Sequence, residues 1–295
     1  MNLKNKRLYN NPVGVSRFTG LLLITPFIIG FVIFTLYPFI SSFINGLAAA
    51  DGSFSLENYT RLFQDSSVRK AAGVTIRYAA VLVPLKLIVS LLTALLLNLE
   101  IKGIGIFRTA FYIPSILGAN LSVVIMWQYL FTADGLVNQF LELIGLSPVS
   151  WYGEAGTALS IIILLRLWEF GSTMVIFLAA LRDIPKDYYD AASIDGCGRI
   201  RSFFKITLPL LKNVIFVNLI LQTISALQEF NAPYMITGGN PMKETYTIGM
   251  LIYEEMFTYW NYGYANAVSW VMFTAIALIV LFMYAVTRKL REDSQ

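Results

Sequence analysis

Histidine is absent from the chain, and cysteine occurs once, as Cys197. The first absence removes the commonest metal ligand and general base, and the second excludes a disulfide within the chain. Charge is scarce as well: Asp, Glu, Lys and Arg make up 14% of the 295 residues, against 57% hydrophobic. The motifs H-E-x-x-H, G-x-S-x-G and G-x-x-x-x-G-K-[ST] do not occur. Zinc hydrolysis, serine acylation and nucleotide binding by a phosphate loop therefore have no site here, and no metal site is expected. If the protein uses ATP, another subunit hydrolyses it.

What the chain does have is long apolar runs, with a mean hydropathy of +0.64. Six of them, at about 18–44, 74–99, 108–132, 157–182, 209–236 and 264–287, approach or exceed the roughly 20 residues that a helix needs to cross a bilayer. They lack the two-residue alternation and regular turn spacing of a membrane barrel. The expectation is an all-α integral membrane protein, a six-helix bundle. Residues 1–17 form a segment ahead of it, and 288–295 a tail. The first run, flanked by "KNKRL" and "GLAAAD", imitates a secretory signal. Its apolar part, longer than twenty residues and containing Pro26 and Pro38, instead reads as a retained helix.

An even number of spans puts both termini on one side, and basic residues choose the side. Fifteen Lys and Arg fall in segments of that side, among them Arg182, Lys186, Arg199, Arg201, Lys205 and Lys212, against five on the other. Both termini are expected in the cytoplasm of a prokaryotic cell, the chain being multi-pass in its inner or plasma membrane. The net charge of +4 follows from these short basic flanks, not from a nucleic-acid groove, so no nucleic-acid partner is expected.

The longest cytoplasmic interruption, 183–208, reads as two short helices. Pro185 and Asp187 suit the start of "KDYYDAASID", Gly196 and Gly198 supply a turn, and "RIRSFFKIT" resumes with Ile200, Phe203, Phe204 and Thr207 at helical spacing. Ala191, Ala192, Ser193 and Gly196 are small, so another surface can approach closely. From these features alone, a solvated loop resting at headgroup level stays open as the alternative reading.

The stretch "DAASIDGCGRIRSFFKITLPLL" resembles the loop signature of permease subunits of ATP-binding-cassette importers, in the spacing of Asp190, Ala191, Ala192, Gly196, Leu208 and Pro209. Asp190 stands where Glu is usual and Cys197 where Ala is usual. "ENYTRLF", "ALLLN", "FRTAFYIPSI", "WQYLF", "LRDIPKDYYDAASIDG" and "YMITGGNP" extend the likeness along nearly the whole chain, towards the carbohydrate-importer branch that includes maltose and glycerol-phosphate permeases. The resemblance implies a second homologous permease, two cytoplasmic ATPases that bind ATP and magnesium, an external solute-binding protein and a carbohydrate substrate. This chain would itself bind no cofactor. It also implies that the loop couples to the ATPase through Asp190, Ala191, Ala192, Asp195, Gly196, Arg199, Phe203, Leu208 and Pro209.

Ionisable and polar groups inside spans are the clues to a solute path. Arg166 and Glu169, three residues apart, are expected to pair or to face the bundle interior. Trp168, Glu169, Gln228, Glu229, Asn231 and Tyr234 offer hydrogen-bonding groups and aromatic faces for a sugar, although membrane helices use the same residues to hold one another. Lys86, after Pro84, is expected to be paired or to snorkel. A secondary transporter stands as the alternative, but no internal repeat supports it.

Overall fold

The computed structural model describes residues 17–49, 52–99, 101–118 and 120–292. Most of the expected N-terminal segment and the last residues of the tail lie outside them. The described residues are helical with short connections and no named strand. Among the described residues four helices are long and apolar enough to cross a membrane, and two bent helix pairs, each counted as one span, bring the number to six.

The first span, Gly20–Gly46, packs on the bundle by its second half. Phe39 and Phe43 pack on Trp270 at 4.7 and 4.8 Å, and the Trp270 indole N–H donates to Ser42 Oγ. The second span, Ser66–Leu97, starts eight residues before the expected boundary. Asp65 caps it by accepting from the Ser67 N–H, which satisfies one of the donors a helix start leaves free. This span is the spine of the bundle: Ala71, Tyr78 and Ala94 are fully buried, and its small side chains let the fourth and fifth spans come close. The sixth span is the helix Tyr262–Glu292.

The other three spans are interrupted where hydropathy predicts continuity. The third is two helices, Ile104–Leu117 and Leu121–Leu130, meeting at a sharp bend after Gly118, whose φ of 58° ends the first helix. The fourth bends by 43° between Gly156–Trp168 and Gly171–Arg182. Gly171 is required at that bend, because a Cβ there would lie 2.3 Å from the Phe111 carbonyl oxygen of the third span. Ser90 Oγ donates to the Phe170 carbonyl, which also accepts the Met174 N–H at the start of the second half.

The fifth span begins at Arg199, ten residues before the expected entry at Pro209, and continues to Ile236 with a break at Gln228–Phe230. Its helix widens to a π turn over Phe203–Thr207, where the Leu208 N–H reaches back to the Phe203 carbonyl. The first span widens likewise over Val32–Leu36, with Tyr37 donating to Val32. Proline follows each turn by two residues, as Pro209 and Pro38. A proline ring displaces the carbonyl four residues back and offers no N–H, and a wider turn accommodates both losses.

Candidate functional site

Arg166, near the end of the first half of the fourth span, joins the two helix breaks. Its Nε and Nη2 donate to the two oxygens of Glu229 at 2.7 and 2.8 Å, and Nη1 donates to Glu169 at 3.0 Å. Glu169 is the residue at which the fourth span breaks, and Glu229 lies in the break of the fifth. Glu229 also accepts from the Ala232 N–H at 3.1 Å, which starts the helix Asn231–Ile236, and from the Tyr78 hydroxyl of the second span. Thr247 Oγ1 donates to the Glu229 carbonyl. Both carboxylates are buried. A charge in this setting costs several kcal/mol unless it is paired and hydrogen-bonded, and the forked geometry meets that demand.

The expected Arg166–Glu169 pair is therefore present, but Glu229 is its stronger half. Lys86 lines the same cavity and so faces the interior instead of snorkelling. The cavity holds about 120 Å³, room for a few waters. Glu229 and Glu169, two of the residues expected to face a sugar, are engaged within the chain.

The remaining path candidates lie elsewhere. Gln228, Asn231 and Tyr234 are exposed beside the fifth-span break, and Trp168 is half-buried against Trp127 at 5.9 Å. Tyr234 belongs to a cluster in which Phe230, Tyr234 and Tyr253 contact one another at 4.9–5.0 Å and Phe257 extends the row at 5.1 Å from Tyr253. Tyr253 and Phe257 did not emerge from sequence reasoning. Their four-residue spacing in "YEEMF" was the available signal.

In the loop, the first helix is Asp187–Ile194 with Asp187 and Asp190 in its first turn, where negative charge complements the dipole. It ends in a Schellman arrangement: Cys197 N–H donates to Ala192 O at 2.8 Å and Gly196 N–H to Ser193 O at 3.1 Å. Gly196 takes the left-handed conformation this requires, at φ +70°, and space beside it is open. Gly198 does not share that role, since its φ of −69° and ψ of 163° suit any residue. The Tyr189 hydroxyl bonds Thr207 Oγ1 at 2.9 Å and ties the loop helix to the π turn.

Asp190, Ala191, Asp195, Gly196, Arg199 and Pro209 are exposed, while Ala192, Phe203 and Leu208 are half-buried. The second piece is not the amphipathic helix expected. Ser202 and Thr207 are its buried side, whereas Ile200 and Phe204 are 78% and 60% exposed, as is Ile194 at the end of the first helix at 87%. The wider turn changes which residues face the bundle. A row of large apolar side chains on a charged loop marks a surface built for contact.

Residues 104–292 match the family model described as binding-protein-dependent transport system inner membrane component. The chain is 41% identical to a probable ABC transporter permease protein, YesP, of Bacillus subtilis, over 90% of this chain and 89% of that protein. It is 35% identical to the sulfoquinovosyl glycerol transport system permease SmoG of Agrobacterium fabrum, over 91% and 90% of the two chains. To the trehalose/maltose permease MalF of Thermococcus litoralis it is 34% identical, over 93% and 95%. In fold it is similar to a chain of the bacterial alginate ABC transporter solved in complex with an alginate-loaded periplasmic protein, with a TM-score of 0.82 at 23% identity, covering 92% of this chain and 95% of that one. These relatives leave the secondary-transporter alternative without support and make the chain a transporter subunit, not an enzyme. The match over the third to sixth spans, with loop and breaks included, places this multi-pass membrane protein in the family of binding-protein-dependent transport system inner membrane components.

Proposed function

We propose that the chain is the permease subunit of an ATP-driven carbohydrate importer. It lines the solute path together with a second homologous permease, receives solute from an external binding protein and docks two cytoplasmic ATPases through residues 183–209. ATP and magnesium belong to those ATPases. The observation that carries this reading is the loop itself: a short helix, capped at its C-terminal end, whose Asp190, Ala191 and Gly196 face outward beside Ile194 and Ile200, tethered by Tyr189 to the fifth span.

A capped helix transmits displacement as a rigid body, whereas free coil absorbs it. Closure of an ATPase pair would move Thr207 through the loop and tilt the fifth span, whose far break is pinned by Arg166. An ATP-loaded ATPase shifts this equilibrium only by its different affinity for the two arrangements. Sugar contact falls to the exposed Gln228 and Asn231, the face of Tyr234 and the half-buried Trp168. The sugar-permease names of the relatives support a carbohydrate cargo, and the basic-residue bias supports cytoplasmic termini.

Cysteine cross-linking tests the arrangement. In a Cys197→Ala background, Ala191→Cys should cross-link to the ATPase and stay protected from external reagents, while Ser53→Cys should be labelled from outside. Labelling of Ala191→Cys from outside would overturn both the orientation and the docking role.

A further inference from the structure

The third and fourth spans are joined, at the end remote from the loop 183–208, by residues 131–154, which fold into a turn, the helix Leu136–Leu143 and a return segment. This helix is inside out for a surface that meets water. Leu136, Phe140 and Leu143 recur at helical spacing along one side and are exposed, Leu143 to 83%. Asn138, two residues from both Leu136 and Phe140 and so on the opposite side, is turned into the protein and only 1% exposed.

Hydrogen bonds fix that orientation. Asn138 Nδ2 donates to the Ala133 and Val149 carbonyls at 3.0 Å each, and Oδ1 accepts from the Val149 N–H at 3.0 Å and the Trp151 indole N–H at 2.9 Å. Trp151 in turn meets the ring of Phe131, at the end of the third span, at 5.2 Å. At the far end of the helix the Leu146 N–H donates to the Leu141 carbonyl at 2.8 Å, with Gly145 in the left-handed region at φ 82°. Ile144 and Leu146 beside this cap are exposed as well.

The chemistry of the exposed side narrows what covers it. Leu136, Phe140 and Leu143 offer no hydrogen-bonding side chain, whereas protein interfaces carry about one hydrogen bond per 100–200 Å². Residues 131–154 contain Asp134, Glu142 and Glu154 but no Lys or Arg, so attraction to anionic headgroups has no source here. Lipid chains ask for neither hydrogen bonds nor charge. Position agrees, because the helix packs on the end of Leu121–Leu130, whose Ile125, Met126 and Tyr129 are exposed on the span. Eight residues make about 12 Å of helix, enough to lie along a membrane surface but not to cross it.

We propose that Leu136–Leu143 lies in the membrane interface, with Leu136, Phe140 and Leu143 among the lipid chains, and holds the adjoining ends of the third and fourth spans at that depth. This part of the surface then faces lipid and not a protein partner.

Spin labels on the assembled transporter in phosphatidylcholine nanodiscs, in a Cys197→Ala background, provide the test. Oxygen concentrates in the lipid chains, whereas a nickel chelate stays in water. Labels at Phe140→Cys and Leu143→Cys should collide with oxygen several-fold more often than with the chelate, and a label at Glu142→Cys should show the reverse. Predominant collision with the chelate at 140 and 143 overturns the proposal, because the face is then in water. Protection from both reagents also overturns it and assigns the face to a protein, either the second permease or a solute-binding protein. Oxygen preference that appears only when phosphatidylglycerol is added would show that charge holds the helix, and counts against the proposal too. Leu136→Cys, on the same side one turn earlier, carries the same expectation should either label prevent assembly.

Discussion

Two charged regions of this molecule obey opposite rules. Around Arg166 every carboxylate oxygen has a partner inside the chain, and the groups that make the bonds come from the second, fourth and fifth spans. In the loop 183–208 the carboxylates of Asp190 and Asp195 are exposed, and apolar Ile194 and Ile200 stand out among them. A buried charge that is saturated internally belongs to the architecture. A surface that leaves polar and large apolar groups exposed side by side is complete only with another molecule. Residue type alone does not separate these roles, since Glu229 and Asp190 are both acids.

The sharpest way to break this contrast is to remove the saturation at Arg166. Arg166→Met leaves two buried carboxylates without a cation and is expected to cost about 3–5 kcal/mol. Thermal unfolding of the detergent-solubilised transporter should show it. Adding Glu169→Gln and Glu229→Gln should restore much of the loss, and a triple variant no more stable than Arg166→Met would refute the internal pairing. Arg166→Lys should fall between, because an ammonium keeps the charge without the fork.

The loop should respond in the opposite manner, with assembly lost and the membrane domain intact. Gly196→Val forces a β-branched residue to φ +70°, at about 1–2 kcal/mol, and alters an exposed face where an anchor is worth about 2 kcal/mol or more. Membrane-inserted amounts should stay normal while ATPase co-purification falls at least tenfold. Gly196→Asn, which tolerates the left-handed region, should keep most of it. If both variants retain full assembly and uptake, the loop is only a solvated connector.

Within the path itself the contrast predicts a split between neighbours. Asn231→Ala should lower sugar uptake by about 2- to 10-fold, the value of one hydrogen bond, and leave the unfolding midpoint in place because the side chain is exposed. Glu229→Gln should lower the midpoint whether or not sugar is present. Normal uptake in Asn231→Ala removes it from the path.

The smallest effect concerns a charged region between the two extremes. Glu244 is held by Arg77 at 3.0 Å and Lys70 at 3.4 Å. Burial pushes its carboxyl up, but the hydrogen bonds and charges of the two cations outweigh this and leave it below the usual carboxylate range. A depressed folded value means that the stabilisation is complete above the ordinary range and fades as pH falls through it. Both cations are well exposed, so the contribution is below about 1 kcal/mol. Glu244→Gln should flatten this part of the acid limb of the unfolding curve, and an unchanged limb would show the pairs to be inert.

Much of this was legible in the sequence. Helix class and the positions of the first and last spans follow from apolar length alone, and the loop helix from its charges and glycine. The interruptions were not legible, because a hydropathy window averages across a break of two or three residues such as Glu169–Phe170 or Gln228–Phe230. Gly171 and Pro114 hinted at them, but the requirement at Gly171 comes from the Phe111 backbone, sixty residues away in the chain. The pairing of Arg166 with Glu229 spans 63 positions and has no local signature. The exposed face of "RIRSFF" was misjudged because a 3.6-residue repeat does not hold through a π turn.

That widened turn sets a rotational phase. One residue advances an α-helix by about 100°, so the extra residue that Phe203–Thr207 absorbs turns Arg199–Ser202 by that amount relative to Leu211 and the buried side of the span. Pro209 keeps the turn from tightening. Replacing it by alanine would let the five residues wind into ordinary helix and swing the attached loop around the span axis with its own sequence untouched. Cross-linking from position 191 to the ATPase should then drop, even though no residue of the proposed docking surface has changed.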